Sequence, residues 1–352
     1  MRGFATLAGL LSFGLSVLFS AEGETTHPPI WAFYYAWYET PQGPHQTWKM
    51  WAEKTAHGEV HSRIPAKPLI GEYDSTNPAV VKWHFQLAEA AGIDAFLVSW
   101  WGGANISGQA FTDVILPAAS QSKVKVALNC ELAQFHADIH HLAQQVSTVL
   151  LKVKDQPGYL HQDGKPVLYL YQVPFDPKLT PESFKILHDE VEKNVGPVWW
   201  AMDKIAHHHG EYAVPLSWQK TPNLDGLGFY GTFSIKRISS EAELTPFFQH
   251  YAASVRNTKA KLLLPLHPAL DNSVIQPSTA FRIPSLKGET LQGYHNAALA
   301  AQADIILLTS FNEWPEGTMI EPIAQTEDPY LFLKIIARWK KRDFVAPPLP
   351  TK

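Results

Sequence analysis

Eight short apolar runs, nearly all separated by helical patterns, are the feature that most constrains how this chain can fold. Runs of about five residues that alternate with helices are typical of the buried strands of a parallel sheet. The pattern predicts an α/β protein, a single-domain (β/α)8 TIM barrel, with a doubly wound open sheet as the alternative. The runs are Ile30–Tyr35, Ala95–Ser99, Val124–Leu128, Val167–Tyr171, Val198–Met202, Leu224–Phe229, Leu262–Leu266 and Ile305–Ser310.

Helical patterns fill most of the connections between these runs. Asn77-Pro78 is typical of a helix start, since Asn caps the first turn and Pro needs no backbone donor there, and Gly92 suits a helix end. The connection between the fifth and sixth runs shows no clear helical pattern. Further helices are predicted over Ala110–Ser122, Ile139–Val149, Pro181–Val191, Glu241–Val255, Thr290–Ala300 and Tyr330–Lys341.

Composition limits the classes of partner. With 352 residues, 45% of them hydrophobic, the chain can bury one large core. Cys130 is the only cysteine, so no disulfide can form within the chain, and we expect its thiol to be a small buried side chain. A net charge of -4 and a pI near 6.5 give no electrostatic footprint for nucleic acid or anionic membrane, and neither is expected as a partner.

The N-terminus has the pattern of a secretory signal peptide. Arg2 precedes an apolar run, Phe4–Phe19, which is followed by Ser20 and Ala21. The run is short for a membrane span. We therefore expect a signal peptide over residues 1–21, a catalytic domain over 22–352, and a secreted or periplasmic protein without stable membrane insertion. An uncleaved anchor is the alternative, because a Phe lies where cleavage sites usually have a small residue.

A barrel of this kind collects its functional side chains at the carboxyl ends of its strands. In this sequence those ends carry aromatic, amide and carboxyl groups, which suit a neutral polyhydroxylated ligand better than a phosphate. Aromatic side chains can also simply close the mouth of a barrel, and that is the alternative for each of them. We predict that a glycan contacts Tyr35, Trp37, Trp100, Trp101, Glu131, Tyr171, Tyr230, His267, Asn312 and Trp314.

Two acids follow the last apolar run, within the segment Leu307–Glu321. Pro315 disfavours helical geometry at the residue before it, so the segment is predicted to be an ordered loop, and Gly317 permits a turn. Two carboxyls on one loop can protonate the leaving oxygen of a glycosidic bond and act as base or nucleophile. We predict that Glu313 and Glu316 are catalytic, with either retention or inversion; a surface loop with two solvated glutamates is the alternative.

Three motifs resemble one known family. They are FYYAWYE at Phe33–Glu39, DSTNPAVVKWHFQLAEAAGIDAFLVSWWG at Asp74–Gly102 and TSFNEWPEGTMIEP at Thr309–Pro322. On these residues the chain resembles glycoside hydrolase family 99, the endo-α-mannosidase family, and the bacterial barrels related to it. The resemblance implies an exported (β/α)8 enzyme that cleaves within α-linked, manno-configured glycans, retains the configuration, and uses no metal or other cofactor.

The resemblance also implies a division of work between the two acids. Glu313 would act as a base on the sugar's own 2-hydroxyl, which attacks the anomeric carbon and gives a 1,2-anhydro sugar. Glu316 would protonate the departing oxygen and later activate water. Members of the family usually have His before the second acid, where this chain has Pro315, so its substrate preference or the pKa of Glu316 is expected to differ from theirs.

Other functions fit parts of the sequence. Sixteen His raise the possibility of a metal site, but the contiguous run His207–His209 cannot easily converge on one ion. His136, His140 and His141 lack the intervening acid of zinc hydrolases, so no metal ligands are predicted. A non-catalytic carbohydrate-binding barrel and a glycosidase of different sugar specificity are the remaining alternatives. The presence of both acids favours an enzyme.

Overall fold

The computed structural model describes residues 27–54, 60–62, 64–135, 138–171, 179–208, 211–232 and 238–351. The signal peptide predicted over residues 1–21 lies outside these ranges. Within them, no helix combines the length and the apolar character that a membrane span requires.

Eight parallel strands close into a barrel. Each strand pairs with the next along the chain, and the last pairs with the first, Ile30 lying opposite Ile306 and Ala32 opposite Leu308. The closed ring confirms the predicted (β/α)8 barrel and rules out the open sheet, which would leave two edges. The strands are β1 (Ile30–Tyr34), β2 (Ala95–Trp100), β3 (Lys125–Glu131), β4 (Lys165–Tyr171), β5 (Trp199–Asp203), β6 (Gly226–Gly228), β7 (Lys261–Leu266) and β8 (Ile305–Leu308).

Helices lie in the connections between the strands and cover the sheet. α2 continues through a π-helical turn, Phe111–Ile115, into α3. The helices are α1 (Pro78–Ala91), α2 (Ile106–Ala110), α3 (Leu116–Ser120), α4 (Ile139–Val153), α5 (Pro181–Val195), α6 (Leu216–Gln219), α7 (Glu241–Arg256), α8 (Glu289–Ala300) and α9 (Leu331–Trp339). Short antiparallel pairs extend the loops: Ala52–Lys54 with Val60–Ser62, Ala206–His208 with Glu211–Ala213, and Leu270–Asp271 with Arg282–Ile283.

Local sequence signals explain where several elements begin and end. The Asn77 side chain accepts from the backbone of Ala79 at 2.9 Å, and Gly92 ends α1 with a φ of 81°, as predicted. The helical segment before β3 begins at Ile106 rather than Ala110, because the Asn105 side chain caps it.

The region between β5 and β6 differs most from the prediction. It contains the short helix α6, whose four residues are too few to show a helical pattern in the sequence. β6 is also shorter than the predicted run, covering Gly226–Gly228. Just after it, the backbone N–H of Tyr230 donates to the Asp203 carboxylate at 3.1 Å. This bond connects the carboxyl ends of β5 and β6 at the mouth of the barrel.

Large side chains fill the interior of the barrel. The indole rings of Trp31 and Trp199 meet edge to face with centroids 5.6 Å apart, and Phe33 meets Tyr169 in the same way at 5.5 Å. Burial of each such side chain contributes about 1.5–3 kcal/mol. Cys130 is free and buried, as predicted. The packed interior leaves the carboxyl end of the barrel as the place where polar side chains gather.

Candidate active site

The loop after β8 places the two predicted catalytic acids at the carboxyl end of the barrel. The backbone N–H of Glu313 donates to the Ser310 hydroxyl at 2.8 Å, and that of Gly317 donates to the Trp314 carbonyl at 3.1 Å. Gly317 has a φ of 65°, and an added Cβ would lie 3.0 Å from the Asp271 nitrogen. The segment is therefore the ordered, non-helical turn that the sequence predicts, and glycine is required in it.

Asn312 joins this loop to the end of β1. Its side-chain oxygen accepts from the Tyr35 N–H at 2.7 Å, and its side-chain nitrogen donates to the Tyr35 carbonyl at 2.9 Å. The Tyr38 hydroxyl donates to the Asn312 carbonyl at 2.6 Å. These bonds fix the first and last strands to one another next to the acids.

Glu316 faces a chain of phenol hydroxyls. The Tyr230 hydroxyl donates to Glu316 Oε2 at 3.1 Å, and the Tyr35 hydroxyl donates to that of Tyr230 at 2.9 Å. Desolvation raises the pKa of the Glu316 carboxyl to about 7, against the opposing effect of the Tyr230 hydrogen bond. The residue remains partly exposed. A carboxyl with this pKa can both give and take a proton near neutral pH.

Glu313 is enclosed more completely, at 2% exposure. Its Oε2 has no hydrogen-bond partner among the residues that the structure describes. Burial raises the pKa of Glu313 well above its usual range, and the charges of Glu316 and Glu131 raise it further. A buried carboxyl oxygen without a protein partner is available to a ligand hydroxyl.

Two more acids lie at neighbouring strand ends. Glu131 accepts from the Ser99 hydroxyl at 2.6 Å, and burial raises its pKa to about 8, with the charges of Asp203 and Glu316 adding to the effect. Asp203 accepts from the Tyr169 hydroxyl, and burial raises its pKa to about 7. Burial thus raises the pKa of all four carboxyls, and neighbouring carboxylates raise the pKa of Glu313 and Glu131 further.

Aromatic rings border this group of acids. Trp37, Trp101 and Tyr171 are partly exposed. The Trp37 ring lies 4.6 Å from that of Tyr35 and 6.2 Å from that of Trp101 between centroids, and Tyr171 meets Tyr230 edge to face at 5.3 Å. Partly exposed aromatic faces beside carboxyls can stack on the apolar faces of sugar rings.

Four of the residues predicted to contact glycan lie behind the site. Trp100, His267, Asn312 and Trp314 have exposures of 1%, 0%, 0% and 2%. Burial lowers the pKa of His267 to about 3, and its ring meets Tyr294 edge to face. The Trp314 indole N–H points to Glu321, with a bond of 2.7 Å. These positions support the mouth of the barrel, whereas direct contact with a glycan stays a prediction for all four.

A further acid, Glu321, lies beneath the loop and was not among the predicted site residues. The fully buried Glu321 accepts from the Trp314 indole and from the Tyr73 hydroxyl at 2.9 Å, and its Oε1 lies 3.1 Å from Nε2 of His84. The signal available was a lone acid between Ile320 and Pro322, inside the third motif.

Some of the His residues that were considered as metal ligands lie within the part of the chain that the structure describes. His140 contacts Glu190 at 2.6 Å on the exposed outer surface, and His136 and His209 lie outside the described residues. In the described part of the chain, no three His, Cys, Asp or Glu side chains form a group that could hold a metal ion.

Comparisons with known proteins identify the family of this chain. The profile of glycosyl hydrolase family 99 matches residues 26–334. A rat glycoprotein endo-alpha-1,2-mannosidase is 22% identical, over 91% of this chain and 79% of the relative, and one from Xenopus laevis is 25% identical, over 88% and 76%. The GH99 endo-alpha-mannosidase structure from Bacteroides thetaiotaomicron has the same fold, with a TM-score of 0.72 and 20% identity over 90% of this chain and 98% of that one. Because the profile spans all eight strands and both acids, the chain belongs to glycosyl hydrolase family 99 and is a glycoside hydrolase.

Proposed function

We propose that this protein is an exported, retaining, endo-acting glycoside hydrolase that cleaves α-mannosidic bonds within a glycan or polysaccharide. One observation supports this most directly: Glu316, with a pKa near 7, lies on the same turn as Glu313, whose buried Oε2 has no described partner. The rat and frog relatives, both glycoprotein endo-alpha-1,2-mannosidases, support the choice of α-mannosidic bonds. The signal pattern over residues 1–21 supports export.

In the first step, Glu313 removes the proton of the sugar's 2-hydroxyl. The freed oxygen attacks the anomeric carbon, the bond from that carbon to the leaving oxygen breaks, and Glu316 gives its proton to the leaving oxygen. The product is a 1,2-anhydro sugar. This geometry requires the 2-hydroxyl to lie trans to the leaving group, as it does in an α-mannoside.

In the second step, Glu316 removes a proton from water. The water oxygen attacks the anomeric carbon, the three-membered ring opens, and Glu313 returns its proton to the 2-oxygen. Two inversions at the anomeric carbon give net retention. Each acid thus ends the cycle in its starting state.

The electrostatics of the pair suit this exchange. Burial and like charges make the Glu313 carboxylate a stronger base than an exposed one. A 2-hydroxyl that donates to the free oxygen of Glu313 stabilises the ionised form of Glu313. When Glu313 and Glu316 share one proton, that proton then lies on Glu316. Substrate binding therefore sets both protonation states. Stacking of sugar rings on Trp37, Trp101 and Tyr171 would hold the substrate over the two acids.

The test is an activity screen of the protein from Glu22 onward. α-Mannans, β-glucans and α-linked manno-oligosaccharides would be compared, with Glu313→Gln and Glu316→Gln as variants. Glu327→Gln, the same change at an exposed position, is the matched control. We expect oligosaccharide release from an α-mannan, lost in both site variants and kept in the control, with the α-anomer as the first product detected by NMR.

Other outcomes would contradict parts of this proposal. Cleavage of another glycan with silence on every manno-configured substrate would remove the mannosidase assignment, and the anhydro route with it for sugars that lack the trans arrangement. A β-anomer as first product would exclude retention. Glycan binding without turnover by the wild-type protein would favour a carbohydrate-binding barrel instead.

A further inference from the structure

A fully buried carboxylate lies directly beneath the loop that carries the two acids. Oε2 of Glu321 accepts from the Trp314 indole at 2.7 Å and from the Tyr73 hydroxyl at 2.9 Å, and Oε1 lies 3.1 Å from His84 Nε2. A buried carboxylate is costly unless hydrogen bonds satisfy it. Here three donors from three separate segments converge on one side chain.

This group reaches the residues on both sides of Glu313. Trp314 follows that acid in the chain, and Asn312 precedes it. The Tyr73 hydroxyl that donates to Glu321 also accepts from the Asn312 side chain at 3.1 Å. Glu321 therefore contacts one neighbour of Glu313 directly and the other through a single hydroxyl.

The far side of the group is fixed to the body of the barrel. His84 lies on α1, and its Nδ1 is 2.9 Å from the Tyr34 hydroxyl at the end of β1. In a neutral imidazole, Nε2–H donates to Glu321 while Nδ1 accepts from Tyr34. The His84 ring also packs against Phe311, with centroids 5.2 Å apart. The carboxylate thus connects the loop to α1 through His84 and, through the same ring, to Tyr34 at the end of β1.

We propose that Glu321 is a positioning residue: through the indole N–H of Trp314, its carboxylate fixes the backbone from which Glu313 projects. Glu321 is fully buried and lies under the loop, so it acts through Trp314 and not on the sugar. The kinetic part of the test rests on the proposed function, because it requires a glycan that the wild-type enzyme cleaves. The structural part does not.

Trp314→Phe tests the link most directly, since it keeps an aromatic side chain and removes the indole N–H together with the five-membered ring that carries it. The matched control is Trp200→Phe: the Trp200 indole donates to Glu192 at 3.2 Å, near the amino end of the barrel. Both variants lose one indole–carboxylate bond. Because small displacements of a catalytic group are costly, we expect Trp314→Phe to lower kcat by about tenfold to a hundredfold with KM nearly unchanged. Trp200→Phe is expected to keep kcat within about twofold of wild type.

Substitutions of the carboxylate itself test the hydrogen-bond basis. In Glu321→Gln, the amide oxygen can accept from Trp314 and Tyr73. Its nitrogen can donate to His84, once that ring carries its proton on Nδ1 and donates to the Tyr34 hydroxyl. We expect this variant to keep most of kcat and Glu321→Ala to lose about a hundredfold. Equal losses in the two would overturn the hydrogen-bond basis of the proposal.

Amide hydrogen exchange gives a readout that needs no substrate. Peptides covering residues 309–321 should exchange their amide hydrogens faster in Trp314→Phe than in the wild type. In Trp200→Phe the exchange rate of these peptides should equal that of the wild type. Tyr73→Phe, which removes the shared hydroxyl, provides a second variant if Trp314→Phe does not fold. If exchange is faster in Trp314→Phe while the wild-type enzyme cleaves no mannan, the positioning role of Glu321 is supported and the mannosidase function is refuted. Unchanged exchange, or unchanged kcat per folded enzyme, would overturn the positioning role.

Discussion

The Tyr230 hydroxyl donates to Glu316 Oε2 over 3.1 Å and thereby opposes the rise in the pKa of this acid. A hydrogen bond to a carboxylate favours its ionised form. The donor is itself held in place, because the backbone N–H of Tyr230 donates to Asp203. One hydroxyl thus couples the protonation of Glu316, after β8, to Tyr230, which follows β6 two strands away around the barrel.

Removal of that hydroxyl should shift the pH profile. In Tyr230→Phe the pKa of Glu316 rises, so the acid keeps its proton to higher pH. Because the proposed first step requires protonated Glu316, we expect the alkaline limb of kcat/KM to move up by about one pH unit. The measurement is kcat/KM against pH for both enzymes. Tyr171→Phe is the control, and an equal shift in that variant would contradict the specific role of Tyr230.

The roles of the two acids predict different responses to the leaving group. Glu316→Gln should lose about 10²–10⁴-fold in rate on substrates with poor leaving groups and much less on activated aryl glycosides, which need no proton. Glu313→Gln should lose similar factors on both, because each substrate needs its 2-hydroxyl activated. Rates for a matched pair of substrates give the comparison. Equal losses in Glu316→Gln would show that it is not the acid.

Gly317→Ala is expected to destabilise the protein and disturb the site. The position has a φ of 65°, which costs a residue with a Cβ about 1–2 kcal/mol, and the new methyl would press on the Asp271 nitrogen. That nitrogen donates to the Glu316 carbonyl at 2.8 Å. Thermal unfolding and kcat would be measured beside Gly71→Ala, whose φ is 77° but whose added methyl meets nothing within 4 Å. Both substitutions should lower Tm, but only Gly317→Ala should lower kcat. A wild-type kcat in Gly317→Ala would contradict the prediction that this substitution disturbs the site.

A pair of histidines should make stability depend on pH. Nε2 of His27 lies 2.9 Å from Nε2 of His295, so one ring must accept and both cannot be protonated. Burial lowers the pKa of His27, with Lys340 lowering and Asp94 raising it. Burial also lowers the pKa of His295 to about 4. Their contribution is therefore present above pH 6.5 and is lost as the pH falls toward 4.

Unfolding in denaturant at pH 7 and pH 4.5 would measure this contribution. The raised pKa values of the acids at the barrel mouth act in the opposite direction, because protonated carboxyls favour the folded state as the pH falls. The comparison is therefore with His295→Gln. We expect the wild type to lose about 2 kcal/mol more than this variant over that range. Equal losses would show that the His pair does not contribute.

The sequence predicted the backbone elements that carry the site better than it predicted the directions in which their side chains point. The strands and the turn with Pro315 and Gly317 follow from local rules, and the structure confirms them. Trp314 lies between the two acids in sequence, yet its indole faces Glu321. Which way a loop side chain points depends on where an acceptor lies in space. Glu321 itself could not be identified, because the donors that make its burial tolerable come from Tyr73 and His84, more than two hundred residues away in the chain.

The pairing of β8 with β1 places the loop that carries Glu313 and Glu316 where the first and last strands of the barrel meet. Asn312 bonds to Tyr35, and this contact spans 277 residues. The part of the chain before β8 contains most of the aromatic residues of the mouth, and Tyr73, His84 and Tyr230 that support the loop, but neither of the two acids. The candidate site is therefore complete only once β8 and the loop that follows it have joined the barrel.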